Sequence, residues 1–370
     1  MAAYDITLLD DFEFDTSFAD APDSAVIDEF HFATAYEGDS GDGFIKVMEV
    51  DSDDNSISTL FTYEHDTSQG ENHKIELLDS NHLVLFYEGS SNTGKLKIFS
   101  IAGDYSLTEV TSITNSTDCA GALSLTVMSD TEFVIAYVDT SFSTGVIKYF
   151  SVNGSYAITE EDEAAPTQSF GSTKSKLLKL KTDFFILVYE GGSDGWMEMY
   201  EIVSDTITLR GSLEFDTSNG DYPSVAVLSD TTMMASCSGS GLDGFVYSIT
   251  YSTSAPYTMT VIDSLEYDTI RANQQDIIKV DETHAFLAYE NSSSKGIRKM
   301  FELDGSKTIS TLSTVTFENT ASNIEVHLAT LAPSRIILAF AGASGDGFIN
   351  LYEVEIPEND ASNSNFLMFM

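Results

Sequence analysis

Four segments of this chain place an aspartate and a threonine at corresponding points: FEFDTS (Phe12–Ser17), YEHDTS (Tyr63–Ser68), LEFDTS (Leu213–Ser218) and LEYDTI (Leu265–Ile270). A second recurring acid follows a tyrosine at the end of a short apolar run. It is Glu37 in FATAYEG, Glu88 in LVLFYEG, Glu190 in FILVYEG and Glu290 in AFLAYEN. Such carboxylates can bind a cation or a cationic partner. They can equally accept the amides of the turn that follows, as in Asx- and ST-turns. Asp15, Asp66, Asp216, Asp268, Glu37, Glu88, Glu190 and Glu290 are therefore the candidate ligand- or partner-binding residues. Their recurrence favours the turn role, because a binding site is usually confined to one place. A different acidic stretch, Asp51-Ser-Asp53-Asp54-Asn55, has oxygens at alternate positions, as at the start of a calcium loop. Asp51, Asp53 and Asn55 are the Ca2+ ligands expected if an ion binds there. The sixth-position Gly and twelfth-position Glu of such a loop are missing.

Other chemistry finds little footing. No nucleophile elbow, phosphate loop or HExxH motif occurs. The SGDGF segments share part of an Asp-box turn. Sialidase chemistry also needs an arginine cluster for the substrate carboxylate, and Arg210, Arg271, Arg298 and Arg335 fall in separate strands or loops. Acidic pairs able to cleave a glycoside are too abundant for one to be singled out. His31, His82 and His284 recur at one place in three units, which holds them apart and implies packing. His65, His73 and His327 show no ligand spacing. Cys119 and Cys237 are expected to be buried thiols, and Trp196 a packing residue.

The elements that carry these residues repeat. SGDGFIKVMEV (Ser40–Val50) returns almost unchanged as SGDGFINLYEV (Ser344–Val354). Between them the pattern of a glycine followed by a partly alternating strand recurs at Gly94, Gly145, Gly195, Gly244 and Gly296. From Gly43 to Gly347 the intervals are 51, 51, 50, 49, 52 and 51 residues. The runs ending in Tyr-Glu are apolar on both faces, as a strand covered on both sides must be. MMASCSG in the fifth unit is degenerate, and the fourth unit has AAPTQS where others have Asp-Thr-Ser. No helical periodicity appears. Four short strands per unit of about fifty residues is the signature of a β-propeller blade.

The expectation is an all-β fold, a seven-bladed β-propeller of four-stranded antiparallel blades. It fills residues 1–356, with 357–370 a polar linker and apolar tail ending NFLMFM. The seventh unit stops after its third strand, so the N-terminal strand, within residues 1–14, should complete it and close the ring. In spacing, and in the Asp-Gly before the third strand, the unit resembles the WD-type propeller repeat. It lacks that family's Gly-His and Trp-Asp pairs. The resemblance implies a fold, not a function.

Composition narrows the partners. Lys plus Arg number 17 against 59 Asp plus Glu, a formal charge of −42. Phosphate would be repelled, so no nucleic acid is expected, nor docking on anionic lipid. No apolar run is long enough to span a bilayer, and the N-terminus has no signal-peptide pattern. The expectation is a non-enzymatic binding or assembly module, most simply a virion-associated structural or receptor-binding protein of a phage tail or capsid surface. Its partners would be proteins in an assembly, or a surface receptor or glycan. The alternatives are an extracellular glycan-binding or glycan-cleaving propeller and an intracellular, cytoplasmic protein-interaction scaffold.

Overall fold

A computed structural model describes residues 4–139, 141, 144–319, 324–342 and 345–357. Each unit folds as four antiparallel strands, a to d from the axis outward. Strand d of the last blade is β1 (Ile6–Asp15). Blade 1 is β2 (Asp20–Val26), β3 (His31–Glu37), β4 (Gly43–Val50) and β5 (Ile57–Asp66). Blade 2 is β6 (Glu71–Asp79), β7 (His82–Gly89), β8 (Thr93–Ile101) and β9 (Leu107–Ser116). Blade 3 is β10 (Cys119–Ser129), β11 (Glu132–Asp139), β12 (Thr144–Val152) and β13 (Ile158–Ala164). Blade 4 is β14 (Phe170–Lys181), β15 (Phe184–Gly191), β16 (Asp194–Val203) and β17 (Thr206–Asp216). Blade 5 is β18 (Asp221–Ser229), β19 (Thr232–Ser238), β20 (Gly244–Tyr251) and β21 (Met259–Asp268). Blade 6 is β22 (Ala272–Lys279), β23 (His284–Asn291), β24 (Gly296–Leu303) and β25 (Ile309–Glu318). Blade 7 is β26 (Val326–Ala332), β27 (Arg335–Ala341) and β28 (Gly347–Val354), completed by β1.

Closure runs as the sequence implies. β1 pairs antiparallel with β28 from Ile6 opposite Val354 to Asp15 opposite Gly347. The NFLMFM tail lies outside the described residues.

Burial explains the strand types. The b strands are covered on both faces, as in the run Leu83–Phe86, fully shielded from solvent. The d strands alternate partly buried and exposed residues along the rim. The core is divided into seven layers, each filled by two neighbouring blades. Val84, Phe86 and Leu96 of blade 2, for example, pack on Phe133, Ile135 and Phe150 of blade 3.

A second device joins the blades on the face that carries the a-to-b turns. Two residues ahead of the apolar residue near the start of each d strand, the backbone is left-handed: Tyr4, Asn55, Tyr105, Tyr156, Asp205, Tyr257 and Lys307, with φ between 55° and 67°. The turn thus aims that side chain at the preceding blade. Tyr105 stacks on His31 with ring centroids 3.7 Å apart and donates its hydroxyl to Asp28 at 3.0 Å. Tyr156 repeats this on His82 and Asp79, and Tyr4 on His284 and Asp281. In each case the aspartate also contacts the histidine Nδ1, at 2.7 to 2.9 Å. At the blade 7–blade 1 junction the same place is taken by Arg335, which donates to Asn55 Oδ1 at 2.8 Å. The three recurring histidines are therefore packing residues of a specific kind, each the middle of an Asp–His–Tyr clamp between blades.

β1 supplies the strand pairing that ties the start of the chain into blade 7. A chain lacking residues 1–15 leaves the outer edge of β28 unpaired. It is expected to form oligomers or aggregates in size-exclusion chromatography where the full chain elutes as one species.

Candidate functional site: the axial channel and its acidic mouth

The d-to-a and b-to-c loops share one face of the disc, and the candidate aspartates end the d strands there. Asp15 Oδ1 accepts from the Ser17 amide and hydroxyl at 3.0 and 2.8 Å. Its Oδ2 accepts from the hydroxyl of Tyr36 at 2.8 Å and from Lys46 Nζ at 3.1 Å. Asp15 belongs to blade 7 and Tyr36 to blade 1. Asp66 pairs likewise with Tyr87, and Asp268 with Tyr289, both at 2.9 Å. The two sequence signals, DTS and YEG, are thus the two halves of one hydrogen bond between neighbouring blades. Lysines three residues after the third-strand glycine add to it. Lys46, Lys97 and Lys148 each reach the carbonyl just ahead of this position in the preceding blade, from Phe14, His65 and Asn115.

The degenerate units keep the bond with its parts exchanged. Where AAPTQS lacks the aspartate, Glu198 stands in the lysine position, accepts from Tyr189 of its own blade at 2.9 Å and reaches across the junction to accept the amide of Thr167, in the turn leading out of blade 3, at 2.9 Å. Where Cys237 replaces the tyrosine, Tyr247 stands in the lysine position and donates to Asp216 at 2.5 Å. Burial alone would disfavour ionised Asp15, yet the Ser17 amide and the Tyr36, Ser17 and Lys46 donors hold it at about 2. Burial beside the carboxylate lifts Tyr36 well above the ordinary phenol range. Asp15, Asp66, Asp216 and Asp268 are accordingly placed in turn caps and blade-to-blade bonds.

The glutamates lie elsewhere. Glu37, Glu88 and Glu290 end their b strands opposite Asp20, Glu71 and Asn273 at the start of strand a. Strand a is bulged just beyond, with left-handed residues at Ala21, Asn72, Ala122, Tyr222 and Gln274. Glu88 accepts from Asn72 Nδ2 at 3.0 Å and from the Gly121 amide at 3.3 Å. Glu290 is buried, and Glu190 is half-buried at the matching end of β15. Glu37 differs. Burial first, then the charges of Glu71, Asp20 and Glu325, push its carboxyl up to about 7. Asp20, opposite Glu37, and Glu71 thus lie where their a strands begin, close enough to Glu37 to act on it, and Glu325 lines the axial cavity at its own a strand.

Below the mouth lies an axial cavity of about 310 Å³. It is belted by one residue from each a strand: Asp23, Lys74, Ser124, Lys176, Ser224, Asp276 and His327. Lys74 contacts Asp23 at 3.2 Å, and Lys176 contacts Asp276 at 2.5 Å. Several of them also accept a backbone amide of the following blade. Asp23 takes Ile75 N at 2.8 Å, Asp276 takes Leu328 N at 2.9 Å, and His327 Nδ1 takes Ser24 N at 3.0 Å. With Nδ1 accepting, the His327 proton sits on Nε2, facing Asp23 Oδ1 at 3.2 Å. Nothing in the repeat pattern marks this belt, because its residues differ in type from unit to unit and are complementary only around the ring.

The calcium-like segment folds as a closed turn. Asp51 Oδ1 accepts from the Asp53 amide at 2.7 Å, and Asn55 Oδ1 is the acceptor for Arg335 described above. Among the described residues no three His, Cys, Asp or Glu side chains are arranged to hold a metal ion. His65 and His73, unrelated by spacing, meet with Nε2 atoms 3.0 Å apart. Burial, then Lys97, depresses His65 to about 3, so the pair is neutral and one ring donates to the other. Trp196 packs at the interface of blades 3 and 4.

With this geometry in hand, the chain can be set beside known proteins. No family model and no curated protein sequence matches it. A structure of a protein from Lactobacillus plantarum is similar with a TM-score of 0.60 at 14% identity, covering 80% of this chain and 85% of that one. Saccharomyces cerevisiae Sqt1 is similar with a TM-score of 0.57 at 11% identity, covering 96% of this chain and 100% of that one. The likeness is one of fold alone. Among the described residues no helix is long and apolar enough to cross a membrane.

Two measurements check this account. Tyr87→Phe removes a donor from partly buried Asp66 and is expected to lower stability in urea by about 0.5–1.5 kcal/mol. The Glu37 carboxyl titrates higher in the ring than in the unfolded chain, so its ionisation opposes folding. That part of the stability is present at about pH 4.5 and is lost as pH rises through about 7. Glu37→Gln should therefore stabilise the protein by about 1 kcal/mol at pH 8, discounted for solvent screening, and leave it unchanged near pH 4.5.

Proposed function

We propose that the chain is a non-enzymatic binding or assembly module that meets its partner with the loop face around the channel mouth. The observation that carries this is the division of labour among its acids. The recurring aspartates are engaged inside the ring, whereas Asp20, Glu71 and Glu325 lie close enough to Glu37 to act on it. A rigid ring presenting variable loops suits recognition. Such a charge group suits a protein partner with a basic surface.

The setting we propose is a virion, with the chain on a phage tail or capsid surface, bound to neighbouring proteins or to a receptor or glycan. The formal charge of −42 and the apolar end NFLMFM after a polar linker support it. Sedimentation of the native protein from its source, with mass spectrometry of what travels with it, tests the reading. Migration with a megadalton particle is the expected result, and loss of that migration on deleting Phe366–Met370 would assign the tail as its anchor. Migration of the full chain as a free monomer of 40.3 kDa would overturn the virion setting.

A further inference from the structure

One junction of the ring lacks the group on which the others depend. Tyr36, Tyr87 and Tyr289 donate to an aspartate of the preceding blade, and Tyr189 and Tyr247 also reach an acid. Tyr137 stands at the same place in blade 3, near the end of the apolar run FVIAYVD on β11. Its aspartate is missing: Gly94 pairs with Ser116, where Gly43 pairs with Asp66 and Gly347 with Asp15. Tyr137 therefore faces the Ser116 hydroxyl, and among the described residues no carboxylate accepts its O–H. The residue ahead of that position changes as well. His65, Phe215, Tyr267, Phe317 and Phe14 lay a ring over the third-strand glycines Gly43, Gly195, Gly244, Gly296 and Gly347. Over Gly94 lies Asn115 instead, and its side-chain amide makes no hydrogen bond. A ring and a carboxylate are thus both missing from one slot, and a pocket of about 370 Å³ opens there, lined by Asn115, Ser116, Tyr137 and Lys148. Small-molecule sites are of this size. Lys148 Nζ is tied to Glu160 at 2.9 Å and to Glu163 at 3.3 Å, but both acids are exposed. Such exposed pairs are weak and can be exchanged. Asp118 and Asp139 line the pocket beside Glu163. A bare anion would be repelled there, whereas a carboxylate accompanied by a positive charge or an N–H donor would be matched on both sides.

We propose that the slot between blades 2 and 3 binds the carboxylate of an external ligand, seated where other junctions hold an aspartate, with Tyr137 and Lys148 donating to it. The neighbouring acids restrict the ligand to a carboxylate with an ammonium or N–H group beside it. A free amino acid or the C-terminal residue of a peptide has that chemistry. The slot shares no lining residue with the axial cavity, so this site stands or falls independently of the assembly reading above.

The test is calorimetric titration of the full chain with L-alanine, with triglycine and with triglycine amide. The expected result is saturable binding of L-alanine or triglycine and none of the amide. Binding of L-alanine identifies a free amino acid as the source, and binding of triglycine alone identifies a peptide terminus. Tyr137→Phe should weaken binding about tenfold, the loss expected for one hydrogen bond to a charged group. Tyr289→Phe, at a junction whose aspartate is present, should leave it unchanged. Ser116→Asp supplies the missing carboxylate from within the chain. It should abolish binding and, because Tyr137 and Lys148 then hold an internal partner, raise the urea midpoint of unfolding. If circular dichroism shows Tyr137→Phe to be unfolded, Ser116→Asp decides in its place. No saturable binding of L-alanine or triglycine, equal binding of triglycine and its amide, or undiminished binding by the Ser116→Asp chain overturns the proposal.

Discussion

The ring depends on a hydrogen bond between a tyrosine of one blade and a carboxylate of the one before it. Sheets packed face to face can slide, since apolar contact is non-directional. A charge-assisted bond at the loop end of each junction fixes the register. It is made in the standard form at Asp15–Tyr36, Asp66–Tyr87 and Asp268–Tyr289. The exchanges at Thr167–Glu198 and Tyr247–Asp216 keep a bond across the junction while changing the residues that make it. At the opposite face the Asp–His–Tyr clamps do the same work for blades 1, 2 and 6. Each junction on which both act is held at its two ends, with an apolar layer between.

Much of this fold was legible before any coordinates. The glycine spacing set the number of blades, and the doubly apolar runs located the b strands. The missing last strand of the seventh unit pointed to β1. Repeats are legible because each unit faces the same neighbours, so the same physical demand is written seven times. What could not be read were pairings made across units. The DTS and YEG signals lie 21 residues apart at Asp15 and Tyr36, yet nothing local says that they touch. His65 and His73 carry no metal spacing because they serve each other.

The channel was the least legible part. Asp23, Lys74, Lys176, Asp276 and His327 occupy one position in successive units but differ in type, so a search for repeats discards them as variation. Variation at that position is what a ring of opposite charges needs, because identical units there would repel. The mouth is the exception. Its acids are near neighbours in space and have a single sign, apart from Lys174. Uniform structural demand accounts for the repeated aspartates, and the mouth is where the balance of charge around the ring is broken.

The pairing of β1 with β28 also sets a schedule. Ile6 meets Val354, so the first strand made is the last to find its place. At about 5–20 residues per second of synthesis, β1 waits tens of seconds for its partner while the blades between form from local hairpins. During that interval two sheet edges are open at once, one on the waiting strand and one on the growing end. The charged residues on β1, Asp10, Asp11, Glu13 and Asp15, stand along that waiting strand. Acidity that looks like surface solvation in the finished ring therefore also keeps the nascent chain from pairing with its neighbours.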